Sequence, residues 1–471
     1  MKTSEIVIIG SGPGGSITAW ELIKKNRDVI LIESGSYYSL DSCTPYSTDE
    51  MKQKYKYGGL NPIITNPKIS YVEGECAGGG SEINSGFYHR TPTNILEEWE
   101  KNFLIENFSI ENLKSHFEYI ENSISVSLLP ENQQAAHASL KLKEGADKLG
   151  WENMEVPRWF KHKEDGTGTK QSMTETYLKW YLKAGGQLIN DLKAIRINYK
   201  RKRWTIFCIN TKTGEKVRIN TKFLFLCGGA VSTPFIMKSS GLHTMAGNYL
   251  QMHPTVKVVA KFNEKINYSE MGVPVHQVKE FSPRISFGCS ISSKPHLALA
   301  LLDNDKYLDL VDNNWENMAI YYAMIKPSSN GRIWKIPFFN DPFIIYKLIN
   351  SDLNILSEGL AKLCQILFKA GAKDIWPSIK DYGALSSPSD IKNIPSSLPR
   401  KNTNLMTIHL FSSCPMGENR KLCVANSYGK VFGYSNLFIN DGSLLPTAPG
   451  VNPQGTIMAI ARRNIHNFLD W

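Results

Sequence analysis

The feature that most constrains this chain is the order of elements within its first 33 residues. The stretch 5–10 carries a continuous β-branched run, the pattern of a strand buried on both faces. The run stops at a glycine turn with Gly10, Gly12 and Gly15, and an amphipathic helix follows. A second buried strand ends at Glu33. The sequence therefore predicts the strand, turn, helix and strand of a Rossmann-type sheet.

This turn suits a dinucleotide for physical reasons. Glycines permit a tight turn and close approach of the backbone, and a helix N-terminus points free N–H groups at a pyrophosphate. Glu33 is placed to accept hydrogen bonds from the hydroxyls of the adenosine ribose. A lone G-x-G-x-x-G pattern is weak, but here the flanking strands, helix and acid agree with it. The pattern predicts a bound dinucleotide and leaves NAD and FAD both open.

A second glycine-dense loop spans residues 72–86, far enough along the chain to meet the other end of a long cofactor. Four of its glycines fall within seven residues, from Gly74 to Gly80. One interpretation is a flexible surface loop. The other is backbone packed against a flat ring system, where side chains would clash. Composition alone leaves both open.

Residues 74–90 resemble the first signature of the glucose–methanol–choline (GMC) oxidoreductases, and further motifs of that family are matched at 409–417, 433–446 and 450–453. The resemblance is closest to the cholesterol-oxidase-like branch, which has a histidine and an asparagine at its catalytic end, here His409 and Asn452. It implies an FAD cofactor. Residues 248–254 also resemble a family passage, in which a turn role for His253 is as open as a catalytic one.

The resemblance also implies which residues hold FAD. Gly228 belongs to a late strand and turn, and Asp441 and Gly442 to a turn that holds the ribityl and phosphate region. Asn452 and Pro453 begin the C-terminal helix, whose positive end is expected near the flavin pyrimidine. Asn452 can equally be a simple helix N-cap before Pro453. The residues expected along the isoalloxazine are Gly78, Gly79, Ser81 and Asn84.

The catalytic end is interpreted from its chemistry. Oxidising an alcohol removes a hydroxyl proton and transfers a hydride to flavin N5, so the site needs a base and a donor that fixes the substrate oxygen. We predict His409 as the base, against the alternative that it is a satisfied core histidine, and the family resemblance implies that Asn452 is that donor. The substrate class stays open among sugars, amino sugars and ring alcohols, and so does the choice between O₂ and another electron acceptor. A flavin-containing lyase or a redox-silent FAD scaffold is the alternative function.

One departure from part of the family concerns how FAD is held. Several members tether FAD through a histidine just before the asparagine of the glycine loop. This sequence has Ile83 at that position. We therefore predict non-covalent FAD.

The motif order predicts an α/β fold, α+β overall, with two discontinuous domains. Residues 1–90, 170–255 and 405–471 are assigned to the FAD-binding domain. Residues 91–169 and 256–404 are assigned to a cap and an antiparallel-sheet substrate domain. The cap carries amphipathic helical stretches at 110–124 and 135–149, and the sheet carries strand-like runs at 256–262, 296–302 and 318–324.

Charge and cysteine content mainly exclude other classes. The net charge of +10 is spread over 471 residues, and its densest run, 200–203, is predicted to be a solvated turn without any nucleic-acid-binding motif. The eight cysteines lack Cys-x-x-Cys or zinc-site spacing, so neither a metal site nor a disulfide scaffold is expected. Residues 6–9 are too short an apolar run for a signal peptide, and no run reaches the ~20 residues of a membrane helix. We expect a cytoplasmic protein whose partners are an alcohol and an electron acceptor.

Overall fold

A computed structural model gives the structure of residues 2–164, 167–269 and 271–470, and the remaining positions of the expected domains lie outside the described residues. The described helices are α1 (Pro13–Ile23), α2 (Thr48–Lys54), α3 (Gly80–Ile83), α4 (Thr93–Phe103), α5 (Ile110–Ser123), α6 (His137–Leu149), α7 (Tyr177–Lys183), α8 (Gly229–Ser239), α9 (Lys294–Leu301), α10 (Asp309–Asn314), α11 (Asn350–Lys369) and α12 (Gln454–Leu469).

The described strands are β1 (Lys2–Ile9), β2 (Val29–Ile32), β3 (Asn61–Ile63), β4 (Lys68–Tyr71), β5 (Val126–Ser127), β6 (Asn153–Glu155), β7 (Arg158–His162), β8 (Gly168–Lys170), β9 (Gln187–Ile189), β10 (Leu192–Lys200), β11 (Arg203–Asn210), β12 (Lys216–Leu226), β13 (Gln251–Met252), β14 (Thr255–Lys261), β15 (His276–Val278), β16 (Ile285–Cys289), β17 (Met318–Ile325), β18 (Gly331–Trp334), β19 (Phe343–Tyr346), β20 (Asp374–Pro377), β21 (Asn404–Thr407), β22 (Leu410–Phe411) and β23 (Leu437–Ile439).

The first large sheet joins both ends of the chain. Its strands follow the order β10-β11-β12-β1-β2-β9, and β23 pairs with β12. β1 lies parallel to β2 and β12, and β12 lies parallel to β23. Ile6, Val7 and Ile8 are fully buried, as a strand covered on both faces requires. α1 packs against α7 and α12, and α12 packs against α5. The predicted Rossmann-type strand, turn, helix and strand is confirmed.

The second large sheet is mainly antiparallel. Its strands follow the order β3-β4-β21-β14-β17-β16-β15-β6, with β20 beside β14. The central neighbours β14, β17, β16 and β15 are antiparallel, whereas β4 and β21 are parallel. α6 and α11 pack on this sheet and bury its hydrophobic core. The predicted fold class, a Rossmann-type domain with an antiparallel-sheet domain, is confirmed.

The strand predicted at 296–302 is wrong, because residues 296–301 lie in α9 and Leu302 begins the 3-10 helix that follows. Its alternating leucines and alanines imitate a strand, but both residue types are strong helix formers. A proline in the first turn, Pro295, also suits a helix start. Leu297, Ala300 and Leu301 are buried at helical spacing.

The expected domain boundaries differ from the boundaries of the sheets. β3, β4 and β21 belong to the second sheet, although most of their residues fall in the ranges assigned to the FAD domain. α4 and α5 pack into the core of the first sheet, whereas α6 packs into the second core. The chain passes from one sheet to the other over short segments, and the amino-acid composition of such segments does not mark the boundary between domains. The division into two domains stays a proposal.

No helix in the described ranges combines the length and apolar content that crossing a bilayer requires.

Candidate active site

The glycines of the first turn have different tasks. Gly10 has a φ of +100°, and a Cβ built there would lie 2.4 Å from the carbonyl oxygen of Cys227. A Cβ on Gly15 would lie 1.8 Å from the carbonyl oxygen of Gly10. β1, α1 and the end of β12 therefore approach closely only without side chains at these positions. A Cβ on Gly12 would meet nothing within 4 Å, so Gly12 borders open space at the N-terminus of α1.

Glu33 links the end of β2 to this turn. Its carboxylate accepts hydrogen bonds from the Ser11 N–H at 2.9 Å, the Ser11 hydroxyl at 2.8 Å and the Gly35 N–H at 2.9 Å. Burial raises the pKa of Glu33, and these hydrogen bonds act against that shift. The Ser11 hydroxyl also accepts from the Gly78 N–H at 3.1 Å, so Glu33 and Ser11 connect the two glycine turns.

The second glycine turn abuts the first. A Cβ on Gly79 would lie 3.0 Å from Gly12 Cα. The Ser81 hydroxyl donates to the Gly78 carbonyl at 2.8 Å, which fixes the turn. Asn84 then connects this loop to the start of α12, because its amide donates to Gln454 Oε1 at 2.7 Å.

Asp441 joins two further loops at the same edge of the first sheet. Its buried carboxylate accepts from the Gly229 N–H at 2.8 Å, the Thr233 hydroxyl at 2.6 Å and both the N–H and hydroxyl of Ser443, at 2.8 and 2.5 Å. Burial raises the pKa of Asp441. The Gly228 N–H donates to the Thr233 hydroxyl at 3.0 Å, so Gly228 shares this network.

The neighbouring turns are equally close-packed. A Cβ on Gly14 would lie 1.9 Å from the carbonyl oxygen of Asn440, next to Asp441. A Cβ on Gly442 would lie 3.1 Å from Ile457 in α12.

These loops meet where β1, β2, β12 and β23 end, the edge at which parallel sheets bind ligands. The N-terminus of α1 has no side-chain cap, and the space beside Gly12 is open. Both features suit a pyrophosphate. The residues present therefore fit a dinucleotide, and hydrogen bonds connect Glu33 through Ser11 to Gly78, and Asn84 to the start of α12.

The predicted catalytic residues lie together at the start of α12. His409 Nε2 and the Asn452 amide are 3.3 Å apart, although the residues are 43 positions apart in the chain. α12 begins at Gln454 with Pro453 as its cap residue, so Asn452 lies just before the helix and is not its cap. The interpretation of Asn452 as a simple N-cap is therefore wrong.

A second histidine, His253, lies behind His409. Their Nδ1 atoms are 3.0 Å apart, and the Gly450 N–H donates to His253 Nε2 at 3.0 Å. A backbone N–H can only donate, so a neutral His253 carries its proton on Nδ1 and donates it to His409 Nδ1. A neutral His409 then carries its own proton on Nε2, toward Asn452.

The surrounding amides are consistent with this arrangement. Gln277 Nε2 is 3.3 Å from Asn452 Oδ1 and 3.2 Å from the Tyr322 hydroxyl oxygen. Gln277 Oε1 has no hydrogen-bond partner among the described residues. Turning both amides by half a rotation lets Asn452 Oδ1 accept from His409 Nε2. Gln277 Oε1 then accepts from the Asn452 amide and the Tyr322 hydroxyl, and the Gln277 NH₂ takes the position that has no partner among the described residues.

Burial and one cation set the charge of the site. Burial, followed by the charge of Lys279, lowers the pKa of His409 to about 4. Burial and the charge of His409 lower the pKa of His253 well below its ordinary range. Both imidazoles are therefore neutral at pH 7. His89, also buried, has its pKa lowered by burial and by Lys279.

Sequence reasoning missed Gln277, Lys279 and His89, and left His253 undecided. Gln277 is the middle residue of β15 and Lys279 is the first residue after it. This alternation of polar residues along a buried strand was the available signal. His89 comes three residues after the end of the glycine loop.

Comparisons with known proteins identify the family of this chain. Two GMC oxidoreductase family models match residues 13–255 and 331–461. An uncharacterised GMC-type oxidoreductase of Sinorhizobium fredii is 35% identical over 475 residues, which cover 98% of this chain and 93% of that protein. A long-chain-alcohol oxidase of Arabidopsis thaliana is 25% identical over 517 residues, which cover 97% of this chain and 66% of that protein.

Solved structures share the fold. Pyridoxine 4-oxidase from Mesorbium loti has a TM-score of 0.76 at 14% identity, over 99% of both chains. A formate oxidase of Aspergillus oryzae, studied for its FAD modification, has a TM-score of 0.76 at 14% identity, over 99% of this chain and 98% of that one. The family models match more than half of the chain, and the chain belongs to the GMC oxidoreductase family.

Proposed function

We propose that this protein is an FAD-dependent oxidoreductase that oxidises the CH–OH group of an alcohol to a carbonyl. The observation that carries the proposal is the partly buried contact of His409 with Asn452, directly before the helix whose first turn is bonded to Asn84. When bound, FAD supplies the acceptor for the hydride of the alcohol carbon. Family membership and a long-chain-alcohol oxidase among the relatives support this reaction class.

The base role of His409 is the finer part of the proposal. A neutral imidazole is what a base requires, and a pKa of about 4 keeps His409 neutral. The hydrogen bond from Gly450 opposes this role, because it places a proton on His409 Nε2. The tautomer that frees Nε2 leaves the Gly450 N–H facing a protonated nitrogen of His253, which costs about 1–3 kcal/mol. The base role stays our proposal, with that tautomer as its requirement.

A substitution separates the base role from a hydrogen-bond donor role. His409→Gln retains an N–H donor but has no basic lone pair. Loss of a base slows flavin reduction by about 10²–10⁴-fold. A His409→Gln rate within about tenfold of the wild type would instead assign His409 as a donor to the alcohol oxygen.

Non-covalent FAD is also part of the proposal. Ile83, the last residue of α3, stands where some family members attach the cofactor, and its side chain has no nucleophilic atom. Acid precipitation of the holoprotein is expected to release all flavin into the supernatant. Flavin that remains in the pellet contradicts this expectation.

A cytoplasmic location belongs to the same proposal. All eight cysteines are free and seven are buried, which suits a reducing compartment.

The test of the proposed function is anaerobic mixing of the FAD-loaded protein with a panel of alcohols, followed by flavin absorbance. Reduction by at least one alcohol is expected. His409→Ala is expected to slow reduction while retaining FAD, and His243→Ala, in the turn after α8, is the matched control. A wild-type flavin that no alcohol reduces would favour the lyase or the redox-silent scaffold.

A further inference from the structure

A buried ammonium group lies beside His409 without a counter-ion. The Nζ atom of Lys279 is buried and has no hydrogen-bond partner in the part of the chain that the structure describes. No salt bridge among the described residues includes it. Burial lowers the pKa of Lys279 to about 8, and the carboxylate that acts against this shift, Glu152, is exposed. A buried and unpaired charge is costly, so it calls for an explanation.

Strand geometry places Lys279 on the side of the sheet that faces the catalytic residues. Lys279 directly follows β15, and its N–H still bonds to the Glu152 carbonyl beside β6, so the alternation of the strand puts it on the face of Gln277. Gln277 contacts Asn452 directly. The charge of Lys279 also lowers the pKa of both His409 and His89, which is consistent with an ammonium directed toward them.

Other polar groups near this face also lack partners. Gly288 pairs with Gln277, so Ser286, two positions away on β16, lies on the same face. The Ser286 hydroxyl and both ring nitrogens of His89 are buried without a hydrogen-bond partner among the described residues. Native proteins rarely leave such groups unpaired, so a bound molecule is the natural partner. Together these side chains supply an ammonium, a hydroxyl and an imidazole.

We propose that the alcohol oxidised by this enzyme carries an anionic oxyacid group, a carboxylate or a phosphate, which binds the Lys279 ammonium while its hydroxyl lies at His409 and Asn452. The claim that the bound molecule is a substrate rests on the proposed function. The claim that it is an anion rests on the unpaired ammonium of Lys279. An anionic group brings the missing counter-charge and several acceptor positions. An amino sugar, one of the substrate classes left open by the sequence, would instead bring a second cation to Lys279.

The binding test uses the FAD-loaded protein and needs no turnover. Benzoate, butyrate and inorganic phosphate are titrated against their neutral counterparts benzamide and butyramide, with the flavin absorbance spectrum as readout. We expect saturable perturbation by the anions and not by the amides. Lys279→Met is expected to weaken anion binding on the order of 10–100-fold, and Lys279→Arg to retain it within a few-fold. Comparing the affinities for butyrate and benzoate with the affinity for phosphate distinguishes a carboxylate site from a phosphate site.

The variants are checked independently for folding. Lys279→Met removes an unpaired buried charge, so its melting temperature is expected to equal or exceed that of the wild type. Lys294→Met, at the first residue of α9, is the matched control with unchanged anion binding. Wild-type protein that binds none of the anions overturns the proposal. So does a Lys279→Met variant with an altered flavin potential and unaltered anion binding, because Lys279 then acts on the cofactor.

A turnover arm separates this inference from the proposed function. Anaerobic flavin reduction is measured with hydroxymethylbenzoate and hydroxybutyrate against the corresponding hydroxy amides. Faster reduction by the acids, lost in Lys279→Met, supports both proposals. Equal reduction by acids and amides supports the oxidoreductase and overturns the anionic substrate. Anion binding that depends on Lys279, without reduction by any alcohol, supports the anion site and counts against the oxidoreductase.

Discussion

Substituting Gly12 with alanine separates cofactor binding from folding. Gly12 has φ −60° and ψ −175°, which alanine adopts without strain, and the added Cβ meets no protein atom within 4 Å. The apoprotein should therefore keep its stability within about 1 kcal/mol, since a compatible Gly→Ala change is worth about 0.4–1 kcal/mol. The same Cβ enters the space assigned to the pyrophosphate at the N-terminus of α1. Loss of one charge-assisted hydrogen bond there costs about 1.5–3 kcal/mol, so FAD affinity should fall about 10–100-fold.

The matched control is Gly15→Ala in the same turn. Its Cβ would lie 1.8 Å from the carbonyl oxygen of Gly10, so backbone must move and the apoprotein should lose about 3 kcal/mol or more. Urea unfolding of both apoproteins measures stability, and quenching of FAD fluorescence on binding measures affinity. Gly12→Ala with wild-type FAD affinity, or Gly15→Ala with wild-type stability, would refute the reasoning about this turn.

Three further predictions concern the buried ionisable groups. Asp441→Asn turns an NH₂ group toward the donors Gly229 N–H and Thr233 hydroxyl. It should therefore lower the free energy of unfolding in urea by about 3–5 kcal/mol. A loss below about 1 kcal/mol would contradict the hydrogen-bond network of Asp441. Because the pKa of His409 is about 4, flavin reduction by a neutral alcohol should rise with pH through about 4 and stay flat up to about pH 7, below the pKa of about 8 of Lys279, as measured by rapid mixing. Lys279→Met removes a positive charge and relieves repulsion of protonated His409, so the acid limb of that profile should move to higher pH; an unmoved limb would place Lys279 away from His409.

The cofactor end of the fold is largely predictable from sequence because its signals are local. The strand run, the glycines and Glu33 fall within one short segment, and each has a physical reason that composition and spacing display. The catalytic pair required a family resemblance, since His409 alone has the pattern of a core histidine. Its contact with Asn452 depends on the path of β22 and the start of α12, which no local pattern encodes.

The positions of Gln277 and Lys279 in the site were not predictable from the sequence. Gln277 lies in a three-residue strand of the second sheet and Lys279 directly follows that strand. The contact of Gln277 with Asn452 depends on how that sheet packs against the start of α12. The role of Gly450 was also hidden, because it acts through a backbone N–H that sequence does not distinguish from any other. Likewise α9 was mistaken for a strand, since leucine and alanine alternation satisfies both periods over so few residues.

The most direct test of the central claim is a single anaerobic rapid-mixing measurement. FAD-loaded protein is mixed with hydroxy acids and neutral alcohols, and the absorbance of oxidised flavin is followed in the wild type and in His409→Ala. The account predicts that at least one alcohol bleaches the flavin in the wild type, and that His409→Ala slows bleaching by about 10²–10⁴-fold while keeping its FAD. A wild-type flavin that stays oxidised with every alcohol, or a His409→Ala variant that is reduced at the wild-type rate, would contradict it.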